Sequence, residues 1–150
     1  MLLDNDADPN ACIYTGETAF EEMCEHNMKE EILMMMIEKI NFELRDSNKK
    51  EYKSFEVKRY NNERALIHLC KKEKLNFKCI QILAGKMKSF GLDCLFNNRT
   101  SLYCLCENNS VSLDFVKVLI ENNASPNSIN VYGRTPLHVA AGAYHSFYIF

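Results

Sequence analysis

Three short cysteine and histidine pairs are the residues of this chain whose types could carry metal or thiol chemistry. They are Cys24-Glu-His26, His68-Leu-Cys70 and Cys104-Leu-Cys106. A zinc site needs ligands that converge on one point, but residues two apart on a helix point in nearly opposite directions. None of these pairs can therefore chelate an ion as helical neighbours. We expect no bound metal, no cofactor and no catalytic cysteine.

Other signatures of chemistry do not occur in the sequence. There is no glycine-rich phosphate loop, no Gly-x-Ser-x-Gly and no His-Glu-x-x-His. A formal net charge of −2 favours neither nucleic acid nor an anionic membrane as a partner. The longest apolar run, Ile32 to Ile37, is too short to cross a bilayer. Without a secretory signal, seven cysteines predict reduced thiols and a cytoplasmic, or else nuclear, protein.

The elements that position these residues come from an internal repeat. Leu2–Thr18 and Leu119–Thr135 align without a gap at an offset of 117, with Leu, Asn, Ala, Pro, Asn, Gly and Thr in common. The segment Gly133–Ala141 (GRTPLHVAA) then matches segments that begin at 16, 62 and 98. These turn positions are separated by 46, 36 and 35 residues, so the first interval predicts an insertion.

The motif Thr-Pro-Leu-His-x-Ala-Ala, preceded by Ala-x-Pro-Asn and a turn glycine, resembles the ankyrin repeat, whose period is about 33 residues. The resemblance implies an all-α, ankyrin-type helical repeat solenoid with short β-turn fingers. It divides the chain into a partial repeat tail (1–13), a repeat (14–44), an insertion (45–60), a degenerate repeat (61–95), a repeat (96–130) and a truncated repeat (131–150). Both ends cut through a repeat, which suggests a fragment of a longer array.

Local physical chemistry agrees with that unit. Thr18, Thr100 and Thr135 can cap their helices, whereas Arg64 stands at the same position and cannot, so a weaker helix start is expected there. Gly16 and Gly133 suit a turn with positive φ, and asparagine replaces them at 62 and 98. Helical spacing in the second helices predicts three core faces, made of Ile32, Met35 and Met36, of Phe77, Ile80 and Leu83, and of Phe115, Val116, Leu119 and Ile120.

The position of three cysteines within the repeat also explains why cysteine occurs there. Cys24, Cys70 and Cys106 each fall eight residues after a turn position, where Ala141 stands in the fourth repeat. A small side chain is needed there for close packing, and buried cysteine provides one. His138 occupies the family's characteristic histidine position, for which the resemblance implies a hydrogen bond that holds the turn.

The insertion is mildly basic. Residues 45–64 carry seven Lys/Arg against four Asp/Glu, with interleaved aromatic residues. A solvated loop or an extra helix is the favoured interpretation, and a nucleic-acid patch is the alternative.

The resemblance also implies where a partner would bind. In this family, partners contact the residues that flank the turn position and the end of the first helix, on the concave side. Aromatic residues repeat two residues before the turn positions, at Tyr14, Tyr60 and Phe96, with Tyr132 beside Val131. We expect these rings to face solvent at the finger tips, which favours an interface, and the alternative is that some of them pack between neighbouring fingers. The predicted contacts are Tyr14, Thr15, Glu17, Glu25, His26, Tyr60, Asn61, Glu63, Lys71, Lys72, Phe96, Asn97, Arg99, Glu107, Asn108, Val131, Tyr132 and Arg134. Asn10, with Leu2 and Asp8 before it, fits the family's pattern for asparaginyl hydroxylation.

The sequence alone leaves three functions open. The first is a non-catalytic module that binds another protein, with no small-molecule substrate. The second is the targeting portion of a larger protein, because the degenerate, asparagine-rich repeats resemble those of poxviral ankyrin proteins or of proteins from AT-rich genomes. The third, a thiol or zinc enzyme, is disfavoured by the helical spacing of the cysteines and histidines.

Overall fold

A computed structural model describes residues 7, 8, 11–26, 28–40 and 52–142, without the side chains of 52–61. Within these residues the chain forms seven α-helices joined by turns, and β structure is limited to isolated bridges. The helices are α1 (Ala19–Glu25), α2 (Glu30–Lys39), α3 (Tyr52–Lys71), α4 (Phe77–Met87), α5 (Ser101–Glu107), α6 (Leu113–Glu121) and α7 (Pro136–Gly142).

Two rows of helices build the array. The first helices stack in the order α1, α3, α5 and α7, and the second helices stack in the order α2, α4 and α6. No pair can bury its apolar face alone, so the core is continuous along both rows. The predicted all-α repeat fold is confirmed. The largest fully buried side chains are Phe20, Ile37, Ile40, Leu66, Ile67, Ile80, Leu83, Met87, Leu92, Leu102, Leu105 and Leu119.

Helix starts follow the predicted caps. The Oγ1 atom of Thr18 accepts the backbone N–H of Glu21 at 3.0 Å, and that of Thr100 accepts the N–H of Tyr103 at 3.2 Å. Thr135 accepts the N–H of His138 at 3.3 Å. Each bond satisfies one of the N–H groups that a first helical turn leaves without a partner.

The core faces of the second helices differ in part from their prediction. In α2 the buried residues are Leu33, Met36 and Ile37, a helical stripe one residue further along than Ile32, Met35 and Met36, and the buried Ile40 directly follows the helix. In α4 and α6, Ile80, Leu83, Val116 and Leu119 are buried as predicted. At the ends of these faces, Phe77 and Ile120 are exposed, and the Phe77 ring packs edge-on against Phe115 at 5.2 Å between ring centroids.

The second repeat departs from the predicted turn at Asn62. This residue lies inside α3 and is buried, so the turn prediction is wrong there. Because Arg64 cannot cap a helix start as threonine does, nothing in the sequence stops the helix at this point, and it extends back to Tyr52. The predicted boundary between the insertion and the second repeat, at 60/61, falls within this helix.

Candidate functional site

The finger of the first repeat is a turn with one left-handed residue. The N–H of Ile13 donates to the carbonyl of Glu17 at 3.0 Å, and that of Gly16 donates to the carbonyl of Ile13 at 2.9 Å. Gly16 has a φ of 86°, in the left-handed region that glycine enters without steric cost. The turn places Tyr14 and Thr15 at its tip, followed by glycine as the sequence predicts.

The finger of the fourth repeat has the same backbone pattern. The N–H of Asn130 donates to the carbonyl of Arg134 at 3.0 Å, and that of Gly133 donates to the carbonyl of Asn130 at 2.9 Å. The buried Asn130 side chain stiffens the turn, because its Oδ1 accepts the N–H groups of Tyr132 and Arg134 at 2.9 and 3.0 Å. Gly133 has a φ of 71°, as expected for the turn position.

Aromatic and aliphatic side chains at these two tips face solvent. Tyr14 is fully exposed, and Ile13 is exposed beside it. In the fourth finger, Val131 and Tyr132 are 74% and 80% exposed. The rigid backbone under them limits the entropy that they would lose on contact with another surface. Thr15 and Arg134 are also exposed, so both tips present a mixed apolar and polar surface.

The finger of the third repeat is shorter. Phe96 and Arg99 exchange two backbone hydrogen bonds, of 3.0 and 3.1 Å, around the two-residue turn Asn97-Asn98. Both asparagines have positive φ, 48° and 65°, the signature of a type I′ hairpin.

The shorter turn redirects the aromatic ring of this finger. Phe96 is a paired residue before the turn, whereas Tyr14 and Val131 are turn residues. Its ring is half-buried and packs against the core, where it contacts His68 at 5.4 Å between ring centroids. The expectation that Phe96 faces solvent at a finger tip is therefore wrong. Asn97 is the first residue of the turn at the tip itself, and Arg99 follows the turn as the residue paired with Phe96.

In the second repeat, the residues predicted to flank a turn lie in α3. Glu63 is buried, and its Oε2 accepts the N–H of Cys94 at 2.9 Å, so it holds the end of its own repeat, just before the third finger, instead of facing a partner. The side chains of Tyr60 and Asn61 lie outside the described residues, and so does Asn10. Their predicted roles stay predictions.

Two of the predicted contacts at the ends of the first helices join neighbouring repeats. The Nζ atom of Lys72 donates to the carbonyl of Glu25, and burial lowers the pKa of Lys72. The amide nitrogen of Asn108 donates to the carbonyls of Cys70 and Lys72, at 3.0 and 2.8 Å. Lys72 and Asn108 therefore hold the repeats together at this edge.

The remaining predicted residues at these helix ends are exposed. Glu25 and His26 end α1, and the His26 Nε2 lies 3.4 Å from a Glu22 carboxylate oxygen. Arg99 pairs with Glu107 at 2.8 Å between Nε and Oε2. An open hollow of about 460 Å³ lies beside them, lined by Lys71, Glu73, Cys104, Glu107, Asn108, Asn109 and Ser110.

The cysteines at the register position are buried, as predicted. Cys24, Cys70 and Cys106 have almost no exposed surface, although Ala141, the equivalent residue of α7, is exposed and Ala140 is buried instead. Burial raises the pKa of the Cys24 and Cys70 thiols, and that of Cys106 to about 11. These thiols stay protonated near neutral pH, so they are poor nucleophiles.

No group of three or more His, Cys, Asp and Glu residues among the described residues could hold a metal ion. None of the helices that the structure describes combines the length and the apolar character that a membrane span requires.

The His138 side chain has the geometry that the resemblance implies. Its Nδ1 lies 2.7 Å from the Oγ1 of Thr135 and accepts the Thr135 N–H at 3.3 Å. A family model described as ankyrin repeats (3 copies) matches residues 66–148, more than half of the chain.

The chain belongs to the ankyrin repeat family. Ankyrin repeats are generally protein–protein interaction modules and are typically non-catalytic. No curated protein and no solved structure gives a significant match to this chain.

One cluster in this ankyrin array was not predicted from the sequence. Glu21 is buried in α1 and forms an ion pair with Arg64 of α3, which in turn lies over the Phe96 ring. The alignment of the repeats contained a signal for this cluster. Glu21 stands where the fourth repeat has His138, and Arg64 stands where it has Thr135.

Proposed function

We propose that this ankyrin array binds another protein through the tips of its first and fourth fingers and the exposed ends of its first helices, without catalysing a reaction. The observation that carries the proposal is the exposure of Tyr14 and Tyr132 at turns with the same backbone pattern. Aromatic residues are enriched at the energetic centres of interfaces, since they bury a large area while fixing few torsions.

The fourth finger is the stronger half of this surface. Val131 and Tyr132 are adjacent and exposed, and Asn130 holds the backbone beneath them. The N–H of Val131 also donates to Asn98, so the finger keeps its position relative to the third. A preorganised anchor of this kind loses little conformational entropy on binding.

Phe96 has a different part in this proposal. Its ring supports the base of the third finger. Asn97 is exposed at the tip of that finger, and Arg99 beside it is partly covered by its pair with Glu107. We therefore expect direct contact at Tyr14 and Tyr132, and an indirect effect at Phe96.

Site-specific photo-crosslinking tests the proposal. A photoreactive phenylalanine derivative replaces Tyr132 in one variant and Leu113, an exposed apolar residue at the start of α6, in another. We expect crosslinks to another protein from position 132 and few from position 113. Tyr14→Ala and Tyr132→Ala should each weaken the same partner by about 1–2 kcal/mol, and Leu113→Ala should not. Equal crosslinking from both positions would refute the assignment of the face.

A second candidate is that the array is the targeting portion of a larger protein. The family's general role in protein interaction and the degenerate, asparagine-rich repeats support it. Sequencing the complete reading frame tests it. A further folded domain on the same chain would support it, and a frame that encodes ankyrin repeats alone would contradict it.

A further inference from the structure

Two adjacent repeats depart from the motif at positions that face each other. In the fourth repeat, Thr135 and His138 bond within one repeat, with 2.7 Å between Oγ1 and Nδ1. Glu21 replaces the histidine in the first repeat, and Arg64 replaces the threonine in the second. Their side chains meet across the interface between α1 and α3, where the Arg64 Nε lies 2.7 Å from the Glu21 Oε1. Where the fourth repeat has a hydrogen bond within the repeat, the first and second repeats have an ion pair between them.

The Glu21 carboxyl is in a confined place. Its side chain is 2% exposed, and its second oxygen, Oε2, has no hydrogen-bond partner among the described residues. The His68 Nε2 lies 3.7 Å from Oε1, and the contact with Arg64 has the geometry of an ion pair rather than of a linear hydrogen bond. The contacts with Arg64 and His68 replace only part of the hydration that this carboxylate loses on burial, and this disfavours its charged form.

Arg64 continues the cluster to the third finger. Its guanidinium carbon lies 4.3 Å from the centroid of the Phe96 ring, a cation–π distance. The Lys71 Nζ lies 5.5 Å from the same centroid, and the His68 ring also packs on Phe96. One arginine therefore joins a buried carboxyl of the first repeat to a ring that belongs to the third.

Charges near the Glu21 carboxyl shift its pKa in both directions. The pKa of Glu21 is raised to about 7, because burial and the carboxylates of Glu17 and Glu25 raise it by more than the Arg64 charge and the Thr18 hydrogen bond lower it. Burial also lowers the pKa of His68, so this imidazole is mostly neutral where Glu21 titrates. The charged and titratable groups that act on Glu21 and His68 from finger 1, α1 and α3 are Glu17, Glu25, Arg64, Lys71 and Lys72.

We propose that Glu21, Arg64 and Phe96 form a proton-sensitive latch that joins the first repeat to the finger of the third. While Glu21 is ionised, its charge holds Arg64 between the carboxylate and the ring. When Glu21 takes up a proton, Arg64 loses that charge, while the Glu17 carboxylate stays 3.8 Å from it at the surface. The latch goes beyond the proposed binding function, and its test needs no partner.

Nuclear magnetic resonance tests the latch directly. We expect the Glu21 carboxyl carbon and the Phe96 ring to titrate together, with a midpoint near pH 7. Glu21→Gln should abolish the Phe96 titration step near pH 7, and the matched change Glu22→Gln should leave it intact. His68→Gln should also leave it intact. A Phe96 titration step near pH 7 that survives Glu21→Gln, or that disappears in His68→Gln, would overturn the latch.

A second variant separates Arg64 from the fold of the cluster. Arg64→Gln removes the charge that lowers the pKa of Glu21, so the midpoint of the Glu21 carboxyl signal should move to higher pH. A midpoint that stays in place or moves down would show that Arg64 does not act on this carboxyl.

Thermal unfolding gives an independent readout. A raised folded-state pKa means that the Glu21 contribution is fully present below its ordinary pKa of 4.5 and is lost as the pH rises to about 7. Glu21→Gln cannot ionise, so the Tm of this variant relative to the unchanged protein should increase across this window, by roughly 7–14 °C. Glu22→Gln should show no such trend. A Tm difference between Glu21→Gln and the unchanged protein that stays constant or decreases would overturn the proposal.

Discussion

The side-chain oxygen of Asn98 accepts the backbone N–H of Val131 at 2.6 Å and so ties the third finger to the fourth. Asn98 itself has a φ of 65°, in the left-handed region that asparagine tolerates better than most other residues except glycine. One residue thus serves a local purpose, the tight hairpin, and a tertiary purpose, the link between two repeats.

These two purposes can be separated by substitution. Asn98→Gly keeps the left-handed conformation and removes the link, so it should lower the free energy of unfolding by about 1 kcal/mol. Asn98→Ala also strains the backbone and should cost about 1 kcal/mol more. Urea unfolding measures both. Asn97→Gly, at the neighbouring turn residue, is the control and should be close to neutral. Equal stability of the Asn98→Gly and Asn97→Gly variants would show that the link contributes nothing.

Asn108 should be the most sensitive residue at the ends of the first helices. Its amide donates to two carbonyls of the preceding repeat, those of Cys70 and Lys72. Asn108→Ala should cost about 1–3 kcal/mol, because both carbonyls lose their donor. Asn108→Asp should cost at least as much, since a carboxylate cannot donate. Chemical denaturation with Asn109→Ala as the exposed control checks this, and matching losses for both alanine variants would contradict it.

Thiol reactivity should divide the cysteines by burial. Cys12 is exposed, whereas burial raises the pKa of Cys79 to about 11 and that of Cys104 to about 12. A thiol reagent at mildly alkaline pH should react quickly with Cys12, and slowly with the buried thiols until the protein unfolds. Cys12→Ser should remove a fast phase. Rapid modification of Cys24 or Cys70 in the folded protein would contradict the assignment of these residues to the core.

Thr100 should matter for stability through its hydroxyl. It is buried, and its Oγ1 caps α5 by accepting the Tyr103 N–H. Thr100→Ala should cost about 1 kcal/mol, while Thr100→Ser should retain most of the cap. Thr15→Ala, at an exposed threonine of the first finger tip, is the control and should be close to neutral. Differential scanning calorimetry of the three variants makes the comparison, which fails if Thr100→Ala and Thr100→Ser melt alike.

The sequence by itself determined the features that depend on neighbouring residues. Gly16 and Gly133 adopt positive φ because the turn requires it, and Thr18 and Thr100 cap helices that start one residue later. The burial of Cys24, Cys70 and Cys106 follows from the repeat register. All of these are local requirements repeated along the chain, so comparing the repeats with one another was enough to predict them.

Tertiary structure decided what depends on the neighbouring repeat. Asn62 occupies a turn position in the alignment but lies inside α3. Phe96 turns inward because its hairpin is one residue shorter and because Arg64 and His68 offer it a surface. In the sequence, Glu21 and Arg64 are two separate departures from the repeat motif. They form one ion pair because stacking places α1 against α3, a contact between residues that are distant in the chain.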